Sequence, residues 1–255
     1  MSEAKDLHFW MTRPEGAGDA LNLACAAKGI DVVQLPLMNI VPFDDDGLAA
    51  RQIMDLDLYS HVIFISTNAV RFGMPLIEQY WPQLPVGIHW LAIGEATANA
   101  LSGYDIDASI ADVGMDSEAL LLLDTLQTAA GGRRVLIMRG QGGREHLAQV
   151  LRHRGWVVDY CELYQRQVPV YPQGTLAHLL DELGVNCWLA SSAETLQNGL
   201  ALASQEGRDE LLQLPVVVPS ERVADIALQL GCQRVVRASN AGSEAVVAAL
   251  LTLKD

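Results

Sequence analysis

The sequence predicts an α/β protein of two similar lobes, each built on a mostly parallel sheet. Short β-branched or apolar runs alternate with longer helix-period segments from one end of the chain to the other, the pattern of strand–helix–strand units. The two halves of the chain are related by an internal repeat at an offset of 126 residues. The chain is long enough for two domains, since 255 residues of 50% hydrophobic content supply two sizeable cores at about 150 residues per domain.

Strands are predicted at "HFWMT" (8–12), "VVQL" (32–35), "HVIFIS" (61–66), "HWLAIG" (89–94), "RVLIM" (134–138), "VVDYC" (157–161), "NCWLA" (186–190), "PVVVP" (215–219) and "RVVRA" (234–238). Helices fill many of the intervals. One is expected from about Ala17 to Lys28, with Leu21, Ala24, Cys25 and Lys28 at helical spacing and Gly29 as a left-handed cap. Another starts at Asp116 or Ser117, good N-cap residues, and turns Leu120, Leu121 and Leu123 inward. Two stretches, "LMNIVPFD" (37–44) and "LYQRQVPVYP" (163–172), contain proline and few helix signals, and each follows a strand–helix–strand unit. They are expected to connect the lobes, the chain leaving one lobe, building the other and returning.

The repeat pairs Arg13 with Arg139, Gly16 with Gly142, Leu21 with Leu147, Gly29 with Gly155, Val32 with Val158, Glu95 with Glu221 and Ala98 with Ala224. It also sets Ser117, Glu118 and Ala119 against Ser243, Glu244 and Ala245, and Ser66 against Ser191 at an offset of 125. Identities in an Ala- and Leu-rich chain are cheap, but these cluster at equivalent turns. Two like lobes imply a ligand cleft between them.

Charge and composition exclude several functions. A net charge of −14 argues against a binder of nucleic-acid backbones. The longest apolar runs fall short of the roughly 20 residues of a membrane span, and "MSEAKD" lacks a basic stretch followed by an apolar core. A cytoplasmic protein without membrane or nucleic-acid partners is therefore expected. Cys25, Cys161, Cys187 and Cys232 stand far apart, and the histidines form no ligand motif, so no metal site is predicted.

The segment "RVLIMRGQGGREHLAQVL" reads as strand, glycine-rich turn and amphipathic helix, which points backbone N–H groups at an anion. From Arg133 to Arg154 it holds six arginines and one acid, Glu145, a local balance of +5. Arg139, Gly140, Gly142 and Arg144 are its candidate ligand residues, with Arg13 at the matching turn of the first half. Glu145 replaces the third glycine of a dinucleotide fingerprint, which weakens a nucleotide reading. The remaining strand-end turns offer hydroxyls, amides and one further cation: Ser66, Thr67, Asn68, Thr97, Ser191, Ser192, Ser220 and Arg222. Such residues cap helices and also line the ligand crevice of open α/β sheets. Tyr164, in "ELYQR", is a phenol able to donate a proton at neutral pH. No Ser-His-Asp set, carboxylate pair or Walker loop is visible.

"WMTRP", "FISTNAV", "AIGEATANAL", "RGQGGREHLAQVL", "CELYQR" and "PSERVADIA", in this order and spacing, resemble the uroporphyrinogen-III synthase family, particularly its bacterial members. "RGxGGRExL" followed by "CExYQR" is the most specific part. The resemblance implies two α/β lobes joined by a two-stranded ladder, one lobe from residues 1–36 plus 172–255, the other from 44–163, with 37–43 and 164–171 as linkers. It also implies cyclisation of hydroxymethylbilane, a linear tetrapyrrole with eight carboxylates, to uroporphyrinogen III with loss of water and inversion of ring D. No metal or organic cofactor is implied, and a monomer is expected. Tyr164 matches the family tyrosine that would help the hydroxyl leave, and Thr97 matches a threonine of the family's cleft. The alternative is a non-catalytic two-lobe protein that binds an anionic small molecule.

Overall fold

The computed structural model describes residues 6–44, 46–111, 114, 117–127, 132–143 and 145–254. The chain divides into two compact units, residues 1–39 with 167–255, and residues 40–166. Unit 1 contains β1 (His8–Met11), α1 (Asp19–Ala26) and β2 (Asp31–Gln34) from the start of the chain. Unit 2 follows with β3 (Asn39–Pro42), which begins at the boundary, then α2 (Leu48–Met54), β4 (His61–Phe64), α3 (Thr67–Tyr80), β5 (His89–Ala92), α4 (Glu95–Ser102), α5 (Ser117–Leu120), β6 (Arg134–Gly140), α6 (His146–His153) and β7 (Val157–Gln167). The rest of unit 1 is α7 (Thr175–Ala177) prolonged by a π-helical turn, β8 (Cys187–Leu189), α8 (Ala193–Glu206), β9 (Val216–Val218), α9 (Glu221–Gln229), β10 (Val235–Arg237) and α10 (Ser243–Leu251).

The unit 1 sheet runs β10-β9-β8-β1-β2 with every pair parallel. Both of its faces are covered, so successive side chains of a strand enter opposite cores. Trp10, Trp188, Val216 and Val218 pack on one face, whereas Phe9, Met11, Cys187, Leu189 and Val217 pack on the other. Unit 2 obeys the same rule in the order β3-β7-β6-β4-β5, with β7, β6, β4 and β5 parallel. Phe64, Leu136 and Met138 face α2, α3 and α4, while Ile63, Val135 and Ile137 face α5 and α6.

The repeat reaches further than its identities. At an offset of 126 residues β1 falls on β6, β2 on β7, β4 on β8, β5 on β9, and the 14-residue α3 on the 14-residue α8. Even the lone bridge of Leu91 to Ser109 occupies the place that β10 takes beside β9. Each unit therefore takes β1–β2 or β6–β7 from one repeat and the later strands from the other. The serine pairing also follows the single offset: Ser66 and Ser192 are the N-caps of α3 and α8, each accepting a backbone N–H at 3.1 Å. Ser191, paired with Ser66 by sequence, is one residue early.

Several boundaries differ from the sequence reading. The strand "VVDYC" continues to Gln167, so Tyr164 stands inside a sheet strand of unit 2 and not in a connection. Of the stretch 37–43, Leu37 and Met38 are buried, Leu37 in the unit 1 core, and Asn39–Pro42 forms the edge strand β3. The helix expected at 17–28 is shorter, and Gly29 has the left-handed conformation expected of a cap, φ +63. The helix after Ser117 lasts one turn, and Asp116 lies outside the described residues.

Candidate functional site

The carboxyl end of the unit 2 sheet carries a polar cluster that the sequence reading touched. Along β6 and β7 the register slips by one: Arg139 faces Glu162, but Gly140 faces Tyr164, leaving Leu163 as a bulge residue. The slip sends both Leu163 and Tyr164 to the α3 face. Tyr164 stacks on Phe72 at 5.7 Å, and its hydroxyl lies 2.9 Å from the Ser66 Oγ. Gly140 makes this possible, since a Cβ there would sit 2.5 Å from the Tyr164 ring.

On the opposite face Arg139, 3% exposed, lies with its Cζ 4.4 Å from the centre of the Tyr160 ring. Its Nη1 donates to the Glu145 Oε1 at 3.2 Å, and the Tyr160 hydroxyl donates to the Glu145 Oε2 at 2.6 Å. Burial, then the bond to Glu145, pushes the Tyr160 phenol up to about 12, so it is a protonated donor at neutral pH. The Tyr160 bond and the Arg139 charge hold Glu145 below the usual carboxylate range.

Arg139, Gly140, Tyr160 and Tyr164 edge a pocket of about 420 Å³, within the size range of small-molecule sites, whose walls also include Ile65 and Ile137. Of the residues singled out in sequence, Arg139, Gly140, Gly142 and Tyr164 meet here, and Ser66 joins them through Tyr164. Thr67 and Asn68 open α3, and Thr97 is buried in the first turn of α4. Arg144 lies outside the described residues. The remaining five belong to unit 1. There Arg13 donates from Nη2 to the Ala241 carbonyl at 2.6 Å. Ser192 caps α8 and Ser191 lies beside Thr195. Ser220 caps α9, and Arg222 is exposed in its first turn.

The arginine excess and the open N–H groups read from the turn are largely used within the protein. Arg134 bonds Asp159 at 2.7 Å, Arg152 the Val158 carbonyl, and Arg154 the Leu121 and Leu126 carbonyls. A charge count along a window misses partners such as Asp159 that the sheet brings alongside. The Gln141 N–H donates to the Tyr164 carbonyl at 2.7 Å, and the Gly142 N–H to the Glu162 carboxylate at 3.0 Å. Sequence reasoning missed Tyr160, whose signal is its position four residues before Tyr164 on one strand. It also read Glu145 as a lost glycine and a lone acid in the charge balance, and not as the partner of Arg139 and Tyr160.

Fold and pocket define the class: an α/β protein of two like parallel-sheet units, with a polar-edged pocket at the strand ends of one and no complete dinucleotide fingerprint. The family model described as "Uroporphyrinogen-III synthase HemD" matches residues 19–248. The uroporphyrinogen-III synthase of Salmonella typhimurium is 37% identical over 248 residues, covering 94% of this chain and 98% of that protein. The Escherichia coli K12 enzyme of the same name is 35% identical over 251 residues at the same coverage. Among solved structures, the uroporphyrinogen-III synthetase of Helicobacter pylori superposes with a TM-score of 0.60 at 16% identity, covering 98% of this chain and all of that one. A mutant synthase from Thermus thermophilus gives 0.57 at 14%, covering 97% and 98%. The chain belongs to the uroporphyrinogen-III synthase family.

Proposed function

We propose that this chain performs the family's cyclisation of hydroxymethylbilane to uroporphyrinogen III with Tyr164 as the proton donor to the departing hydroxyl. The observation that carries the assignment is the 2.9 Å contact of the Tyr164 hydroxyl with the Ser66 Oγ at the edge of the pocket. Ser66 accepts the Ala69 N–H, which leaves its own proton free to point at the tyrosine oxygen. The phenol proton is then available to the substrate, and the oxygen left behind is stabilised by Ser66 as charge develops. In the step itself the phenol proton joins the hydroxyl, the carbon–oxygen bond breaks, and water departs. A pyrrole carbon at the other end of the chain then bonds to the carbon so exposed, and the proton that this pyrrole gives up on closure returns to the Tyr164 oxygen, so that water is the only net loss.

Most of the remaining work is conformational. The substrate is reactive enough to close unaided to the wrong isomer, so holding its chain in the folded arrangement decides the product. Its eight carboxylates need cations and hydrogen-bond donors, and Arg13, Arg139, Arg144 and Arg222 with the caps Ser192 and Ser220 are the groups we assign to them. Thr67, Asn68, Thr97, Ser191, Gly140 and Gly142 complete the proposed substrate contacts. No described helix is long and apolar enough to cross a membrane. Supplying hydroxymethylbilane and resolving type I and type III products by chromatography tests the reading. Excess type III over the protein-free control is expected, and an unchanged ratio would refute it.

A further inference from the structure

We propose that Glu145 is an internal competitor for the substrate: its carboxylate holds the place on Arg139 that a substrate carboxylate takes, and so sets substrate affinity. This rests on the assignment of the pocket to the tetrapyrrole. The two partners of the ion pair are unequally fixed. Arg139 is 3% exposed, its Nε bound to the Gly140 carbonyl and its plane against Tyr160, whereas the Glu145 side chain is 48% exposed. The cation is immobile, and the anion is able to swing into water at little desolvation cost.

The pair is also only half made. Nη1 contacts one carboxylate oxygen at 3.2 Å, short of the bidentate fork that makes Arg–carboxylate pairs strong. Nη2 makes no hydrogen bond among the described residues. It lies where a Cβ on residue 143 would come within 2.9 Å, so Gly143 keeps the space beside it open. An incoming carboxylate is able to engage Nη2 first and then replace Glu145 on Nη1. The buried cation is never left uncompensated, the state that costs most.

Nor does the turn itself require an acid. At the repeat-related turn of unit 1, Arg13 bonds the Ala241 carbonyl and has no carboxylate partner among the described residues, although Asp19 stands at the position equivalent to Glu145. Glu145 caps no backbone N–H of α6 with its side chain. Among the described residues its side-chain hydrogen bonds are to Arg139 and the Tyr160 hydroxyl, and both of these residues edge the pocket.

Steady-state kinetics with hydroxymethylbilane on Glu145→Gln, which keeps the size and the acceptor oxygen and removes the charge, test the proposal. KM should fall about 3- to 10-fold, and that fall should carry the change in kcat/KM. Tyr160→Phe, which frees Glu145 from one anchor, should lower KM in the same direction by less. In an Arg139→Gln background the Glu145 effect should vanish. An unchanged or raised KM in folded Glu145→Gln would overturn the proposal, as would persistence of the effect without Arg139. Failure of the parent reading is separate, since the unsubstituted protein would then form no excess of type III product.

Discussion

Tyr164 is where the reading of the site is most exposed to test. Tyr164→Phe keeps the ring on Phe72 and removes only the oxygen that meets Ser66. The rate should fall on the order of 10²-fold, the low end for a lost general acid, because the departing hydroxyl sits on a carbon activated by its pyrrole. The product should remain type III, since the pocket still folds the chain; slow turnover with type I product would instead make the tyrosine a positioning residue. Ser66→Ala should slow the reaction by less and also destabilise the protein by about 1 kcal/mol through the lost cap of α3, which a urea titration separates from the kinetic effect.

At the scale of elements, the repeat is conserved in packing and not only in order. A Cβ on Gly73 of α3 would lie 3.0 Å from the Leu163 Cδ1 and 2.8 Å from the Met138 Cε. A Cβ on Gly199, the matching residue of α8, would lie 3.0 Å from the Leu37 Cδ1 and 2.8 Å from the Trp188 ring. Alanine in a helix normally gains about 1 kcal/mol over glycine, but here it enters a filled space. Gly199→Ala should destabilise by about 1–3 kcal/mol, because an indole yields poorly. Gly73→Ala should cost less, since the methionine end swings aside. Equal and stabilising shifts in the two urea midpoints would show that these helices do not pack as closely as described. Gly140→Ala belongs with them: the clash with Tyr164 should lower both stability and turnover.

For the molecule as a whole, acid stability is set partly by His61, fully buried at the start of β4 between His89 and Trp156. Burial, then the charges of His89 and Arg133, pushes its pKa down to about 4. The folded protein keeps His61 neutral while the unfolded chain takes up a proton below about pH 6.5, so its contribution is full above that pH and is lost between about 6.5 and 4. His61→Phe should flatten the fall in melting temperature across that window, and parallel curves for the two proteins would remove His61 from the account. Activity with a chelator present and no added cofactor should persist, and substrate binding should weaken as salt is raised, less steeply than eight carboxylates would suggest because hydroxyls and amides share the contacts. A KM independent of ionic strength would assign recognition to uncharged groups alone.

Short continuous apolar runs were enough to place every described strand but β3, which was read as a connection, because burial on two faces of a parallel sheet leaves so direct a mark on composition. The turn sequences likewise made the family resemblance legible. Position across the sheet was not legible. The one-residue slip opposite Gly140 is a property of two strands, and it alone decides that Tyr164 meets Ser66 while Tyr160 meets Arg139. The fate of the arginines was hidden for the same reason. Charge along the chain counts neighbours in sequence, but an ion pair forms between neighbours in space, and only the fold set Asp159 beside Arg134 and closed Glu145 onto Arg139.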